Sequence, residues 1–127
     1  AKRYTGTPRY MAPEIEKGSA NYTPAVDIYS AALIMWFILE GERPWEKHHG
    51  HVAFSVAKTG RRPPLRWDSQ QYPDSMAEVI KHCWAHDPAT RPGAARVLEV
   101  LEGIREAFAP PPASVPCFFM GGARGRQ

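Results

Sequence analysis

The chain has 127 residues, of which 43% are hydrophobic and 23% charged, with a formal net charge of +3. These values suit one globular domain with a modest core, and no block of basic residues is long enough to indicate a nucleic-acid-binding tail. Two cysteines, Cys83 and Cys117, exclude a disulfide framework and a cysteine-based metal site. We therefore expect a domain of a reducing compartment, the cytoplasm, without a nucleic-acid partner.

Residues 1–23 open the chain without helical or strand periodicity. They contain five turn-forming residues, namely Gly6, Pro8, Pro13, Gly18 and Asn21. We predict an ordered loop here, with a short helix near Pro13.

The segment from Asp27 to Glu40 is the longest nearly unbroken apolar run. A helix that is apolar all round is buried or spans a membrane, and a span needs roughly 20 apolar residues. Because this run is shorter, we predict a buried central helix, capped by Thr23, with Pro24 in its first turn and Gly41 at its end. The Asp27 carboxylate then needs a partner, which is either the helix dipole or the backbone of another segment.

Residues 41–50 read as a loop, with Trp45 packed against the core. Three histidines, His48, His49 and His51, cluster at the end of this loop. Their spacing matches no zinc pattern, so we predict a solvated loop rather than a metal site. Residues 52–58 predict a short amphipathic helix that ends before Gly60.

The stretch RRPPLRW at residues 61–67 is kept extended by its two prolines. It is either a proline-rich recognition motif or an irregular crossing over a helical domain, and we predict the crossing.

Two more helices follow. Ser75 and Glu78 have the spacing of a capping box, and five residues from position 76 to 84 then share one apolar face that includes Cys83 as a small core residue. The turn HDPATRPG separates this helix from a last one at about residues 93–108. From residue 109 the composition becomes rich in proline and glycine, which predicts a disordered tail over residues 109–127.

Three stretches together resemble the protein kinase family. GTPRYMAPEI at residues 6–15 is similar to the end of a kinase activation segment with its A-P-E triplet. DIYSAALIMWFILEGERPW at residues 27–45 resembles a helix and loop of the kinase C-lobe, although Ala32 replaces the usual glycine. CWAHDPATRP at residues 83–92 resembles the C-W-x-x-D-P-x-x-R-P turn. The resemblance covers residues 1 to about 108.

The resemblance implies a mainly α fold, the later helical part of a kinase C-lobe, without the N-lobe and catalytic loop of the complete two-lobed α+β fold. Residues 1–23 would be the end of the activation segment, residues 24–108 the helical core, and residues 109–127 the tail. The G-T-x-x-Y pattern before M-A-P-E is typical of serine/threonine kinases, whereas the G-x-R-P-P stretch at residues 60–64 is commonest in tyrosine and tyrosine-kinase-like kinases. The combination resembles a tyrosine-kinase-like serine/threonine kinase.

The resemblance also implies roles for individual residues. Thr7 would touch the catalytic aspartate and line the substrate pocket. Pro8, Arg9 and Tyr10 would form a shelf for the substrate residue after the acceptor hydroxyl.

Three further residues would be structural. Glu14 would pair with Arg91 and lock the shelf to the helical core. Asp27 would hold the backbone of the catalytic loop.

The motifs that a kinase uses for ATP and catalysis are not in this sequence. It contains no G-x-G-x-x-G, V-A-I-K, H-R-D or D-F-G. We therefore expect no ATP or Mg²⁺ site in this fragment, and both cofactors in a complete parent kinase that phosphorylates a protein substrate. The alternative is a complete, non-catalytic binding or scaffold module derived from a kinase C-lobe. We favour a partial record of an enzyme, which would need its upstream kinase segments.

Overall fold

The computed structural model describes residues 7–15, 22–68 and 70–108. This part of the chain is helical and contains α1 (Ala25–Glu40), α2 (Gly50–Lys58), α3 (Asp74–Cys83) and α4 (Ala94–Phe108). Two short 3₁₀ helices, Pro8–Tyr10 and Pro88–Thr90, stand before α1 and between α3 and α4. The predicted disordered tail at 109–127 lies outside the described residues.

Helix α1 forms the centre of the core. The helix begins at Ala25 after Pro24, and no side chain caps its first turn, although the Thr23 hydroxyl accepts from the Ala25 N–H at 3.4 Å. Gly41 ends the helix with a φ of 75°, a left-handed conformation that glycine adopts without strain, and donates to the Phe37 carbonyl oxygen at 2.9 Å. The predicted end at Gly41 is confirmed, whereas the predicted cap by Thr23 is wrong, because Pro24 holds the position directly before the helix.

The prediction that α1 is buried all round is wrong. One side packs against α3 and buries Tyr29, Leu33 and Trp36 in the core cluster. The opposite side leaves Ile34 49%, Phe37 41% and Ile38 64% exposed. An apolar sequence shows what a helix can bury, whereas the segments around it decide which sides are covered.

Helix α2 begins two residues earlier than predicted and packs against the first 3₁₀ helix. It buries Ala53, Phe54 and Ala57, and Gly60 follows its end with a φ of 87°. Trp45, in the loop that connects α1 to α2, packs half-buried against the core, as predicted.

Helix α3 confirms the predicted apolar face but not the predicted capping box. Val79, Ile80 and Cys83 are buried. The residue before the helix is Pro73, no side chain caps the first turn, and Glu78 pairs with Lys81 at 3.1 Å instead. The S-x-x-E spacing does not by itself fix where a helix begins. Ser75 is the second residue of α3, so its hydroxyl no longer faces the free N–H groups at the helix start.

The extended stretch at residues 61–67 is the predicted irregular crossing. Arg62 Nε donates to the Trp84 carbonyl oxygen at 2.8 Å, and the Trp36 indole N–H donates to the Pro64 carbonyl oxygen at 2.9 Å. These bonds fix the crossing to α1 and to the end of α3. None of the helices in the described ranges has the length and apolarity of a membrane-crossing helix.

Candidate functional site

The candidate site is the segment of Thr7, Pro8, Arg9 and Tyr10, which we call the shelf. Its backbone is a single 3₁₀ turn, closed by a hydrogen bond of 3.0 Å from the Tyr10 N–H to the Thr7 carbonyl oxygen. Pro8 suits this position, because its fixed φ matches the first residue of a helical turn and its missing N–H is not needed there. Thr7 precedes this turn and is exposed to solvent, and its hydroxyl makes no capping hydrogen bond to the turn.

Helix α1 holds the shelf through a side-chain hydrogen bond. The Ser30 hydroxyl donates to the Tyr10 carbonyl oxygen at 2.7 Å, across 20 residues of sequence. The next residues, Met11 and Ala12, are buried in the core. The backbone that carries the shelf therefore cannot move without disturbing the helical core.

Arg9 anchors the shelf from the side. Its side chain is buried, and its guanidinium donates to the Pro44 carbonyl oxygen at 2.5 Å, to that of Trp45 at 2.7 Å and to that of His48 at 2.5 Å. Trp45 has a positive φ of 49°, which is uncommon for a non-glycine residue. The structure thus places Arg9 inside the protein, where it joins the shelf to the loop between α1 and α2.

The loop that Arg9 holds also carries an exposed ion pair. Arg43 Nη2 lies 2.7 Å from a Glu46 carboxylate oxygen. The hydrogen bond from Arg43 lowers the pKa of the Glu46 carboxyl, and the Arg9 charge adds to this effect. Among the described residues, no group of three or more His, Cys, Asp or Glu side chains could hold a metal ion, the neighbouring histidines included.

The third anchor is the Glu14–Arg91 pair, which joins residues 77 positions apart. Arg91 Nη1 and Nη2 donate to the two Glu14 carboxylate oxygens at 2.6 and 2.9 Å, the two-pronged geometry that only arginine offers. The Arg91 side chain is 0% exposed and that of Glu14 23%. Arg91 also donates to the Ala25 carbonyl oxygen at 2.9 Å and to that of Ala85 at 2.8 Å. The predicted partners are therefore in contact.

Tyr29 contacts two guanidinium groups, one of which belongs to this pair. Arg62 and Arg91 stand over its ring at 5.0 and 5.1 Å from the centroid, within the range of a cation–π contact. Its hydroxyl is buried and has no hydrogen-bond partner among the described residues. Burial raises the pKa of Tyr29 to about 12, although the two arginine charges act in the opposite direction.

Sequence reasoning missed the roles of Arg62 and Tyr29. Arg62 belongs to the G-x-R-P-P stretch, which in the sequence indicates only a subgroup, and Tyr29 is one residue of a long apolar run. Burial lowers the pKa of the Arg62 guanidinium. The G-x-R-P-P motif could therefore have pointed to Arg62, but the contact between Arg62 and the Tyr29 ring depends on the fold.

Asp27 lies apart from these contacts. It is in the first turn of α1, where a carboxylate interacts favourably with the helix dipole, and it is exposed. No hydrogen bond or ion pair reaches its carboxylate from the residues that the structure describes. The prediction that it holds a catalytic loop stays a prediction.

The expectation that this fragment has no ATP or Mg²⁺ site stays a prediction. The described residues offer no cluster of acidic side chains for a metal ion, and the sequence has no glycine-rich phosphate loop. The arrangement can present a peptide-binding surface on a rigid support.

Comparison with known proteins agrees with this arrangement. The protein kinase domain matches residues 1–101. The serine/threonine-protein kinase VIK of Arabidopsis thaliana is 38% identical over 104 residues, which are 82% of this chain and 23% of VIK. The serine/threonine/tyrosine-protein kinase HT1 of the same plant is 37% identical over 107 residues, which are 84% of this chain and 26% of HT1.

A third relative comes from a different organism. The dual specificity protein kinase shkD of Dictyostelium discoideum is 34% identical over 105 residues, which are 81% of this chain and 14% of shkD. The chain therefore spans about a quarter or less of the length of these curated relatives.

Proposed function

This chain belongs to the protein kinase family, as the later helical part of a C-lobe resembling tyrosine-kinase-like kinases, and we propose that it supplies the substrate-binding side of an enzyme that transfers the γ-phosphate of ATP to serine or threonine of a protein. In this proposal the protein substrate rests on the shelf. The nucleotide, the Mg²⁺ ions and the catalytic base belong to upstream kinase segments. The chain alone is inactive.

The observation that carries the proposal is the threefold anchoring of the shelf. Ser30, Arg9 and the Glu14–Arg91 pair hold it to α1, to the loop before α2, and to the turn after α3. Phosphoryl transfer depends mainly on positioning and on charge stabilisation, so a rigid surface next to the acceptor hydroxyl is a part that the reaction requires. Thr7, exposed at the start of the shelf and without a side-chain bond to the other residues that the structure describes, is the residue we expect to face substrate and catalytic aspartate.

The exposed side of α1 supports the second half of the proposal. Ile34, Phe37 and Ile38 form an exposed apolar side on α1, the helix that carries Asp27 in its first turn. Contiguous exposed apolar surface is unusual on a protein that works alone. We propose that upstream kinase segments cover this side, and that the Asp27 carboxylate then accepts hydrogen bonds from their backbone.

A chimera tests the proposal. The part of VIK that precedes its matched region is joined to residues 1–127, and labelled ATP and casein are supplied. We expect label on serine or threonine of casein, at a rate that falls on Thr7→Ala and is unchanged by Arg96→Ala, a substitution on the exposed surface of α4. VIK itself is the positive control.

The alternative is a scaffold module that binds a partner through the exposed side of α1. A chimera that folds cooperatively but transfers no phosphate would contradict the kinase proposal and favour the scaffold. Because the scaffold needs only the apolar side, it predicts that Thr7→Ala has no effect on partner binding.

A further inference from the structure

Arg62 connects the ends of two helices. Its Nη1 donates to the carbonyl oxygen of Ala57, in the last turn of α2, at 3.0 Å. Its Nε donates to the carbonyl oxygen of Trp84, directly after α3, at 2.8 Å. The planar guanidinium group holds two acceptors in a fixed relation, which the single ammonium group of a lysine does not. Arg62 therefore sets how the end of α2 lies relative to the end of α3.

Arg62 also contacts the centre of the core through Tyr29. Its guanidinium carbon lies 5.0 Å from the centroid of the fully buried Tyr29 ring, and that of Arg91 lies 5.1 Å from the same centroid. The electron-rich ring attracts both cations, although the cations repel each other. Burial lowers the pKa of the Arg62 guanidinium, and the Arg91 charge acts in the same direction. The two arginines therefore share one aromatic support and act on each other through it.

Helix α2 extends from Arg62 to the shelf. The helix begins at Gly50, which is so close to the shelf that a Cβ there would lie 3.6 Å from Pro8 Cβ and 3.6 Å from the Arg9 backbone nitrogen. Its nine residues span about 13 Å at 1.5 Å per residue. One end of α2 thus contacts the shelf, and the other end is the one that Arg62 holds through the Ala57 carbonyl oxygen.

A second connection to the shelf runs through Arg91. Its Nη1 and Nη2 donate to the two carboxylate oxygens of Glu14, which follows the shelf, at 2.6 and 2.9 Å. The Tyr29 hydroxyl has no hydrogen-bond partner among the described residues, so the position of this ring depends on packing and on the two guanidinium groups. Arg62 therefore supports the Glu14–Arg91 pair indirectly, through the ring on which Arg91 rests.

We propose that Arg62 is a positioning residue for the protein substrate. It makes no hydrogen bond to the shelf within the described ranges, and it acts on the shelf through α2 and through Arg91. Because the shelf would bind the substrate while upstream segments bind the nucleotide, loss of Arg62 weakens binding of the protein substrate and leaves binding of ATP unchanged. This inference rests on the proposed function.

The test uses the chimera of VIK and residues 1–127, with the concentrations of casein and ATP varied separately. We expect Arg62→Ala to raise KM for casein about 10-fold, because a small displacement of a positioning surface has effects of this size, and to leave KM for ATP unchanged. A variant that merely lost part of its folded population would contain less active enzyme. Its kcat would then fall, and both KM values would stay as they are.

Arg61→Ala is the matched control. Arg61 is the neighbouring residue, it is exposed, and its side chain makes no hydrogen bond or ion pair to the residues that the structure describes. Its KM for casein should equal that of the unchanged chimera. Where Arg62→Ala does not fold, Arg62→Lys and Arg61→Lys serve the same comparison, because lysine keeps the charge but does not hold both carbonyl oxygens. A casein KM of the Arg62 variant no higher than that of the Arg61 variant, or a change in kcat alone, would overturn the proposal.

A second measurement separates a failure of this proposal from a failure of the proposed function. Hydrogen exchange of the 127-residue chain alone needs no kinase activity. Arg62→Ala should speed exchange in the shelf and in the first turn of α2, whereas α4 should keep the wild-type rate. Unchanged exchange in the shelf, or faster exchange along the whole chain, would contradict this role of Arg62 even if the chimera is active. Faster exchange confined to the two segments would support it even if the chimera transfers no phosphate.

Discussion

Arg91 connects three separate stretches of the chain through one guanidinium group. It binds Glu14 after the shelf, the Ala25 carbonyl oxygen at the start of α1 and the Ala85 carbonyl oxygen after α3. A buried guanidinium loses its hydration, so these acceptors are what make its burial tolerable. Arg91 is thus the one of the three shelf anchors that ties it to both α1 and the turn after α3.

We expect Arg91→Ala to destabilise the chain strongly. Removing one partner of a buried ion pair costs about 3–5 kcal/mol, and a domain of this size has about 5–15 kcal/mol in total. Glu14→Ala should cost somewhat less than this range, because the remaining guanidinium keeps its carbonyl acceptors. Urea denaturation of the full chain measures both free energies of unfolding.

Arg96→Ala provides the matched control. Arg96 Nη1 lies 3.0 Å from a Glu99 carboxylate oxygen, but both side chains are exposed. Such pairs contribute about 0–1 kcal/mol. If Arg91→Ala were no more destabilising than Arg96→Ala, the shelf would not depend on the Glu14 pair.

We also expect Arg9→Ala to loosen the loop between α1 and α2. Three backbone carbonyl oxygens would lose a charged donor, and a hydrogen bond to a charged group contributes about 1.5–3 kcal/mol. Hydrogen exchange followed by mass spectrometry should show faster exchange of residues 41–49 and unchanged exchange in α4. Arg43→Ala, which removes an exposed pair from the same loop, should leave exchange near the wild-type rate. Equal effects of the two variants would contradict a structural role for Arg9.

Tyr29→Phe should leave the chain as stable as before, or more stable, at neutral pH. The Tyr29 hydroxyl is buried without a partner among the described residues, and such a group costs about 1–3 kcal/mol. Denaturation midpoints of the two proteins measure the difference. A large loss of stability would mean that the hydroxyl has an acceptor after all.

The same substitution should change the response of stability to alkaline pH. The pKa of Tyr29 is raised to about 12 in the folded chain, against about 10 in the unfolded chain, so the unfolded state loses this proton first. The free energy of unfolding should therefore fall as pH rises from about 10 to about 12, and less so in Tyr29→Phe than in wild type. Tyr22→Phe, at an exposed position, should keep the wild-type slope.

At the scale of elements, the sequence predicted the four helices to within a few residues because each has clear periodicity or clear ends. Gly41 ends α1 by adopting a positive φ, which local sequence can indicate. The burial of α1 and the capping box at Ser75 were wrong, because both depend on what surrounds the segment. The Arg9 contacts join residues 35 to 39 positions apart, and no local pattern indicates such a distance.

The two sides of α1 should respond differently to the same kind of truncation. Leu33→Ala removes a fully buried side chain and should cost about 2–5 kcal/mol, whereas Ile38→Ala removes a side chain that is 64% exposed and should cost well below this range. Urea denaturation compares the two variants of the chain. Equal losses would show that the outer side of α1 is already covered, which would contradict the proposed docking of upstream segments there.

At the scale of the molecule, we propose that the chain carries one of the two tasks of a kinase, which is to position the substrate. The described residues hold a shelf in place with buried side chains, and the sequence contains none of the motifs that bind ATP, Mg²⁺ or the attacking hydroxyl's proton. A protein with only the first task is expected to position a substrate without phosphorylating it.

Labelled ATP and a general protein substrate, incubated with the purified 127-residue chain, test this separation most directly. We expect no ATP binding and no transfer above a blank without protein. Transfer above the blank that disappears with Thr7→Ala would show that the chain carries its own catalytic machinery, and would contradict the account.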